Sequence, residues 1–405
     1  MKKLIFLLSV FIGMMPIVVN ADNTKNYNLD AKAGIAIDIN SGKILYEKNS
    51  KQKLPVASVT KILSMYIVLE EINSGKLKWE DEVVISKNAY DLTLNENASN
   101  IYLDEGGKYT VRDLFDAAMI QSANSATIAL AEKISGSEQK FVEKMRKTAK
   151  SFGVKDAKIV NSTGLNSEVL EEDSDSKNKK IDDNEFSARD VALISYYTLT
   201  RYPEILEVTK KTTETFDKGG SNEQELHTYN EMLKGMEYER KGVDGLKTGT
   251  TDSAGQCFVG TTYQDNYRII TVVLNASNSD TNPNARFEAT NKLMDYVYGS
   301  WQSKKIVRKG HSLDGYKTID VSNGNKDEVN VVAADDTRIV MPKKMAVKDL
   351  QITYKGNYSI SAPIKKKQKL ATLIVKEDDK LGYLIDNAEQ AVNLVAKETI
   401  KVKGK

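Results

Sequence analysis

The chain has 405 residues, 40% hydrophobic and 28% charged, enough for two or three packed cores, which excludes a disordered, collagen-like or multi-span membrane protein. Its 58 basic and 56 acidic residues leave a net charge of +2, so no overall field draws it to nucleic acid. One cysteine, Cys257, excludes a disulfide framework or a cysteine-rich metal site and reads as a small buried apolar residue. A Ser-His-Asp triad would have to use His227 or His311.

Lys2 and Lys3 precede an apolar run, Leu4 to Val19, that closes on Val19-Asn20-Ala21. This is the pattern of a secretory signal, read here as residues 1–21, and the run is short of the roughly 20 residues that span a bilayer. The rest of the chain is therefore expected to work outside the cytoplasm. AGIAIDINSGKILYEKN, residues 33–49, predicts a β-hairpin turning at Asn40-Ser41-Gly42 on a sheet edge. After Pro55, the spacing of Ile62, Tyr66, Leu69 and Ile72 predicts a buried helix starting near Ser58. Helices are also predicted over Val111–Ser122, Ala123–Ile134, Gln139–Phe152 and Ala188–Arg201. Residues 168–185 carry eight acidic and three basic side chains without apolar periodicity, predicting a mobile surface loop.

From Val243 onward, β-favouring runs separated by Asp252-Ser253 and Gln264-Asp265-Asn266 predict successive antiparallel strands, and Phe287–Tyr298 reads as a helix. Past Trp301 come short strand-like pieces: KTIDV, EVNVVA, QITYKG, LATLIV and LGYLI. A boundary near Ser303 is expected. Residues 303–405 have 21 basic and 13 acidic side chains, whereas 22–302 have 35 and 43. Two readings of this basic domain stand: attraction to anionic membrane or wall polymers, or evenly scattered surface lysines. The order of elements argues for an α/β or α+β fold followed by an all-β module.

Ser58-Val59-Thr60-Lys61 places a hydroxyl and an amine on one helical face. With histidine scarce, lysine can serve as base if Leu54, Val56, Ile62 and Leu63 make its surroundings apolar and lower its pKa. The Ser-x-x-Lys pattern occurs five times, but only at Ser58 does it open a strongly apolar helix. Ser122-Ala123-Asn124 offers a hydroxyl for proton relay and an amide for a peptide-like group; a helix cap is the plainer reading of it alone. Lys247-Thr248-Gly249-Thr250 opens a strand where Gly249 lets a ligand approach the backbone and the neighbouring lysine and threonines suit a carboxylate; an ordinary strand or turn is the plainer reading there.

In this order the three motifs resemble those of the serine D-Ala-D-Ala carboxypeptidases among the low-molecular-mass penicillin-binding proteins. The likeness extends to LPVASVTKIL, TVRDLFDAAMIQSANSATIALAE, NSTGL and DGLKTGTTDSAGQCFVGT, covering roughly residues 30–300, with a family-like β domain after it. The resemblance implies the penicillin-binding/β-lactamase-like transpeptidase fold, an antiparallel sheet flanked by helices, with a small all-β C-terminal domain. It divides the chain into a signal (1–21), a peptidase domain (22–302) and a β-rich domain (303–405). It implies that Ser58 attacks the bond between two terminal D-alanines of a peptidoglycan stem while Lys61 takes its proton. Ser122 and Lys247 would pass a proton to the leaving amine, Asn124 would hold the substrate's peptide group, Thr248 and Thr250 would take its terminal carboxylate, and Gly249 would let the substrate approach the backbone between them. The backbone N–H groups of Ser58 and Thr250 would form the oxyanion hole. No metal or organic cofactor is implied, and β-lactams would acylate the same serine. The implied location is the extracytoplasmic envelope, with the outer face of the cytoplasmic membrane as one placement. Many relatives end in an amphipathic helix, but here AVNLVAKETIKV is followed only by Lys403-Gly404-Lys405, which argues against attachment by that route.

Two alternatives carry distinct expectations. A class A-like β-lactamase needs a deacylating glutamate four residues before an asparagine between the second and third motifs. Ala157, Ser162, Ser174, Lys180, Lys218 and Leu226 occupy that position before the interval's asparagines. A non-catalytic envelope-binding protein would be expected to lack a motif residue, and none is missing.

Overall fold

The computed structural model describes residues 27–166, 182–376, 380–385 and 388–404. The expected signal, residues 1–21, and most of the acidic stretch lie outside the described residues.

The expected hairpin forms from strands Ala31–Asp38 and Ile44–Lys48, the latter being a sheet edge. Strands Val243–Thr251, Gly255–Gln264 and Tyr267–Ala276 follow antiparallel, and the last pairs with Ala31–Asp38 to complete a five-stranded sheet. Strand Tyr267–Ala276 lies in the middle because it is apolar on both faces. Ile270, Val272 and Leu274 enter one core, and Ile269 and Val273 enter another beside Leu293, Met294 and Val297 of helix Ala285–Ser300. Each such aliphatic side chain contributes roughly 1.5–3 kcal/mol on burial.

Against the first face lies a helical layer: Lys61–Asn73, Val111–Ile120, Asn124–Ser135, Glu138–Ser151 and Ala188–Arg201. Their starts follow from local chemistry. Thr110 and Ser137 accept hydrogen bonds from Asp113 N and Lys140 N, while Ser187 and Asp190 form a capping box. Every residue from Lys61 to Leu69 is buried, so this helix runs through the core until its last turn and carries its lysine inside. Helices Lys87–Thr93 and Ile205–Thr209 and three two-stranded ribbons, too short for a periodic signal, were not anticipated.

Two expectations are corrected. The acidic stretch does not end as a surface loop: Asp183 and Asn184 are buried, and Glu185–Ser187 pairs with Lys53–Pro55. Hydrogen bonding rather than apolar periodicity holds Asn184 inside, so composition hid it. LGYLI, residues 381–385, is not a strand of the C-terminal sheet. It lies against the first hairpin, where Ile44 N donates to Gly382 O at 3.0 Å and Leu384 N to Gly42 O at 2.8 Å. The buried Lys43 ammonium sits 5.0 Å from the Tyr383 ring and 5.9 Å from that of Trp301.

The C-terminal part is all β, as expected. A ribbon of Trp301–Val307 with Thr337–Pro342 adjoins a six-stranded sheet running 351–356, 369–376, 390–396, 328–333, 318–322, 359–361 around its own core. AVNLVA, residues 391–396, belongs to the strand Gln390–Ala396. No described helix is long and apolar enough to cross a membrane.

Candidate active site

The chain enters the site through the short strand Lys53–Pro55 and turns into a single 3-10 turn, Ala57–Thr60, before the long buried helix. Ala57 takes φ +50°, a strained value for a residue with a Cβ, and this bend brings half-buried Ser58 to the helix's N-terminal end. The partial positive charge there favours negative charge developing beside Ser58.

One helical turn on, Lys61 is fully buried. Its Nζ lies 2.9 Å from Ser58 Oγ, 2.6 Å from Asn124 Oδ1 and 2.9 Å from the Thr163 carbonyl oxygen. Burial, then the nearby charge of Lys247, holds its pKa well below that of an ordinary lysine. The partners suit the neutral amine: Asn124 Oδ1 and Thr163 O, both pure acceptors, take its two N–H groups, leaving the lone pair for the Ser58 hydroxyl.

The Thr163 carbonyl is held by a polar clamp behind the nucleophile. Asn161 Oδ1 accepts from Gly164 N at 2.7 Å, and Asn184 Oδ1 accepts from Val160 N at 2.6 Å. Asn184 Nδ2 donates to Thr60 Oγ1 at 3.1 Å and to Asn161 O at 3.0 Å. Gly164, at φ +85°, lies so close that a Cβ there would fall 1.9 Å from the Ala57 carbonyl oxygen.

Ser122 occupies the junction between helices Val111–Ile120 and Asn124–Ser135, at φ +60° and almost fully buried. It is not a helix cap, since the N-cap residue of the second helix is Ala123. Asn124 donates through Nδ2 to Ser99 O at 2.9 Å, leaving one amide hydrogen for a ligand.

Across the cleft runs strand Val243–Thr251. Lys247 is buried, donates to Thr248 O at 3.1 Å, and is pushed down to about 7 by burial and then by the positive charge of Arg286. Gly249 passes directly under the nucleophile turn: a Cβ would lie 2.6 Å from Val56 O and 3.2 Å from Ser58 N. Thr250 Oγ1 accepts from Arg286 Nη2 at 2.7 Å, which turns its own hydroxyl hydrogen outward.

The predicted residues therefore converge. Ser58, Ser122, Thr248, Gly249 and Thr250 line a cleft of about 280 Å³, while Ser58, Asn124 and Thr250 line a second cavity of about 480 Å³ that shares Ser58 with it. Lys61 and Lys247 lie buried beneath it. His227 and His311 line neither cleft. Cys257 is buried, its Sγ accepting from Asn275 N at 3.5 Å, and burial pushes its thiol up to about 11.

Sequence reasoning missed Arg286. It lies in the first turn of helix Ala285–Ser300, donates to Gly249 O at 3.0 Å and to Thr250, and puts a cation at the proposed carboxylate end of the cleft. Burial lowers its pKa only to about 10, so it stays charged at neutral pH. A lone arginine at a helix start gives no sequence signal. The Thr163 carbonyl and Asn184 were missed too, because only packing brings them to the nucleophile.

A buried lysine 2.9 Å from a serine at a helix start, facing an open cleft, has the geometry of a serine nucleophile beside a lysine base. The chain belongs to the D-alanyl-D-alanine carboxypeptidase family, whose model matches residues 19–278. The model of the penicillin-binding protein 5 C-terminal domain matches residues 301–402. It is 31% identical over 375 residues to a D-alanyl-D-alanine carboxypeptidase (DacF) of Bacillus subtilis, covering 93% of this chain and 87% of the relative. Among solved structures, penicillin-binding protein 3 of Streptococcus pneumoniae, described as a peptidoglycan synthesis regulatory factor, matches 93% of this chain and 100% of its own. The TM-score is 0.84 and the identity 39%. The ampicillin-bound penicillin-binding protein D2 of Listeria monocytogenes matches 67% of this chain and 99% of its own, with a TM-score of 0.55 and 30% identity.

Proposed function

We propose that this chain is a serine D,D-carboxypeptidase that removes the terminal D-alanine from peptidoglycan stem peptides through an ester on Ser58. The observation that carries the assignment of Ser58 and Lys61 is the position of the Lys61 amine: fully buried, its pKa lowered by that burial, and 2.9 Å from the serine hydroxyl. Ser58 Oγ attacks the carbonyl carbon of the penultimate D-alanine while its proton passes to Lys61 Nζ. The backbone N–H groups of Ser58 and Thr250 receive the oxyanion. The C–N bond then breaks, and Ser122 with Lys247 delivers a proton to the departing amine. Water attacks the ester, restoring Ser58 and releasing the shortened stem as a carboxylate. Thr248, Thr250 and Arg286 hold the terminal carboxylate beside Gly249, and the free hydrogen of Asn124 Nδ2 holds the substrate's peptide carbonyl.

β-Lactams enter the same reaction and stop at the ester. Intact-mass analysis after mixing with benzylpenicillin tests this: an adduct mapping to Ser58, absent in Ser58→Ala of unchanged thermal stability, is expected. An unmodified folded wild type, or an adduct on the alanine variant, refutes the assignment. D-Alanine release from a pentapeptide is the companion assay.

The peptidase unit is proposed as residues 22–302 and the β-rich unit as 303–405. The latter's excess of 21 basic over 13 acidic residues supports contact with anionic membrane or wall polymers. Co-sedimentation with anionic vesicles that weakens with salt is expected; sedimentation unaffected by lipid charge would remove this reading. The family's work on peptidoglycan places the reaction outside the cytoplasm.

A further inference from the structure

One charged group in the catalytic cleft has no part in the reaction above. With the terminal carboxylate at Thr248, Thr250 and Arg286, the leaving D-alanine occupies the cleft of about 280 Å³. A water's share of liquid volume is about 30 Å³, so this side has room for on the order of nine waters, against six heavy atoms in alanine. The wall of the same cleft also includes Tyr229 and Glu231.

Glu231 is half-buried and makes no ion pair among the described residues. Its Oε2 accepts only a long bond from Glu237 N, 3.4 Å, while its backbone carbonyl accepts from Tyr238 N at 2.9 Å, which anchors the residue in its own turn. The cation sharing the cleft, Arg286, is engaged with Gly249 O, Cys257 O, Gln256 Oε1 and Thr250 Oγ1. A carboxylate without a cation partner, on the wall of a cleft that admits ligand, repels a second anion and attracts an ammonium.

We infer that Glu231 is a specificity-determining residue that favours leaving residues with an extended, cationic side chain. The substrate class is a peptide ending in D-Ala-D-X, where X is a basic or diamino acid: its carboxylate lies at Arg286 and its side-chain ammonium at Glu231. The bonds made and broken are those of the carboxypeptidase reaction, on which this inference rests, and the ammonium is a spectator.

The test compares kcat/KM for acyl-D-Ala-D-X with X as alanine, lysine, norleucine and glutamate. In the wild type, D-Lys should exceed D-norleucine by about 3- to 10-fold at low ionic strength, less at high salt, as befits a partly exposed ion pair. In Glu231→Gln, which keeps an acceptor for Glu237 N, the ratio should fall to about 1. In Glu231→Lys, D-Glu should overtake D-norleucine. Ratios within one variant cancel any general loss of activity. A wild-type ratio near 1, or one unchanged in Glu231→Gln, with D-Ala still released, overturns the inference alone; release of no terminal residue from any peptide overturns the carboxypeptidase reading and this inference with it.

Discussion

Gly249→Ala is the most direct probe of how the cleft is assembled. The φ of Gly249 lies outside the left-handed region, so alanine meets no backbone strain and only the contact counts. The new methyl would stand 2.6 Å from Val56 O, 3.1 Å from Val59 N and 3.2 Å from Ser58 N. A comfortable C···O contact is about 3.3 Å or more, so strand and nucleophile turn must part by about 0.7 Å. All three neighbours are backbone atoms of the turn that carries Ser58, and none can rotate away. Overpacking of this kind costs about 1–3 kcal/mol, lowering the melting temperature by roughly 2–10 °C in a domain of this size. The catalytic loss should be larger, about 10²-fold in the second-order rate of acylation, because a displacement approaching 1 Å misaligns nucleophile and carbonyl. Stopped-flow acylation by a fluorescent penicillin, with a thermal melt of the same sample, measures both. Acylation at the wild-type rate with a melt shifted by less than about 1 °C would refute the packing of strand 243–251 against the Ser58 turn.

Two further predictions concern what surrounds the nucleophile. Because acylation uses the neutral Lys61 amine and the lysine's pKa is lowered by burial and by Lys247, the rate should rise as pH climbs through that lowered value and then level off. Lys61→Arg, permanently charged, should lose about 10²–10⁴-fold; a flat profile between pH 5 and 9 together with an active arginine variant would exclude Lys61 as base. Asn184→Ala strips the acceptor from Val160 N and Asn161 N in a buried clamp, at about 1–3 kcal/mol for each unpaired group. Its melting temperature should fall by about 5–15 °C, and a fall under 2 °C in a calorimetric scan would show that the clamp does not hold the segment.

The sequence was most legible where a local physical rule acts alone. The Asn40-Ser41-Gly42 turn, the helix starts at Thr110, Ser137 and Ser187, and the doubly buried strand 267–276 each follow from side chains within a few residues of one another. Pairing Ser58 with Lys61 is of this kind too, since one helical turn fixes their distance whatever surrounds them. Legibility failed where a polar group replaces an apolar one in the interior: Asn184 read as part of an acidic loop, and LGYLI read as a strand of the wrong domain.

The sequence by itself determined the chemical inventory and its local spacing: the hydroxyls, amines, amide and glycine of three motifs, each on a recognisable element. Only the tertiary structure decided that Lys61 sits in an environment that lowers its pKa, because desolvation and the field of Lys247 depend on atoms 186 positions away in the chain. It also placed Arg286 behind Thr250 and put Glu231, without an ion pair among the described residues, on the cleft wall. Charge, burial and distance between segments are properties of packing, and no local pattern encodes them.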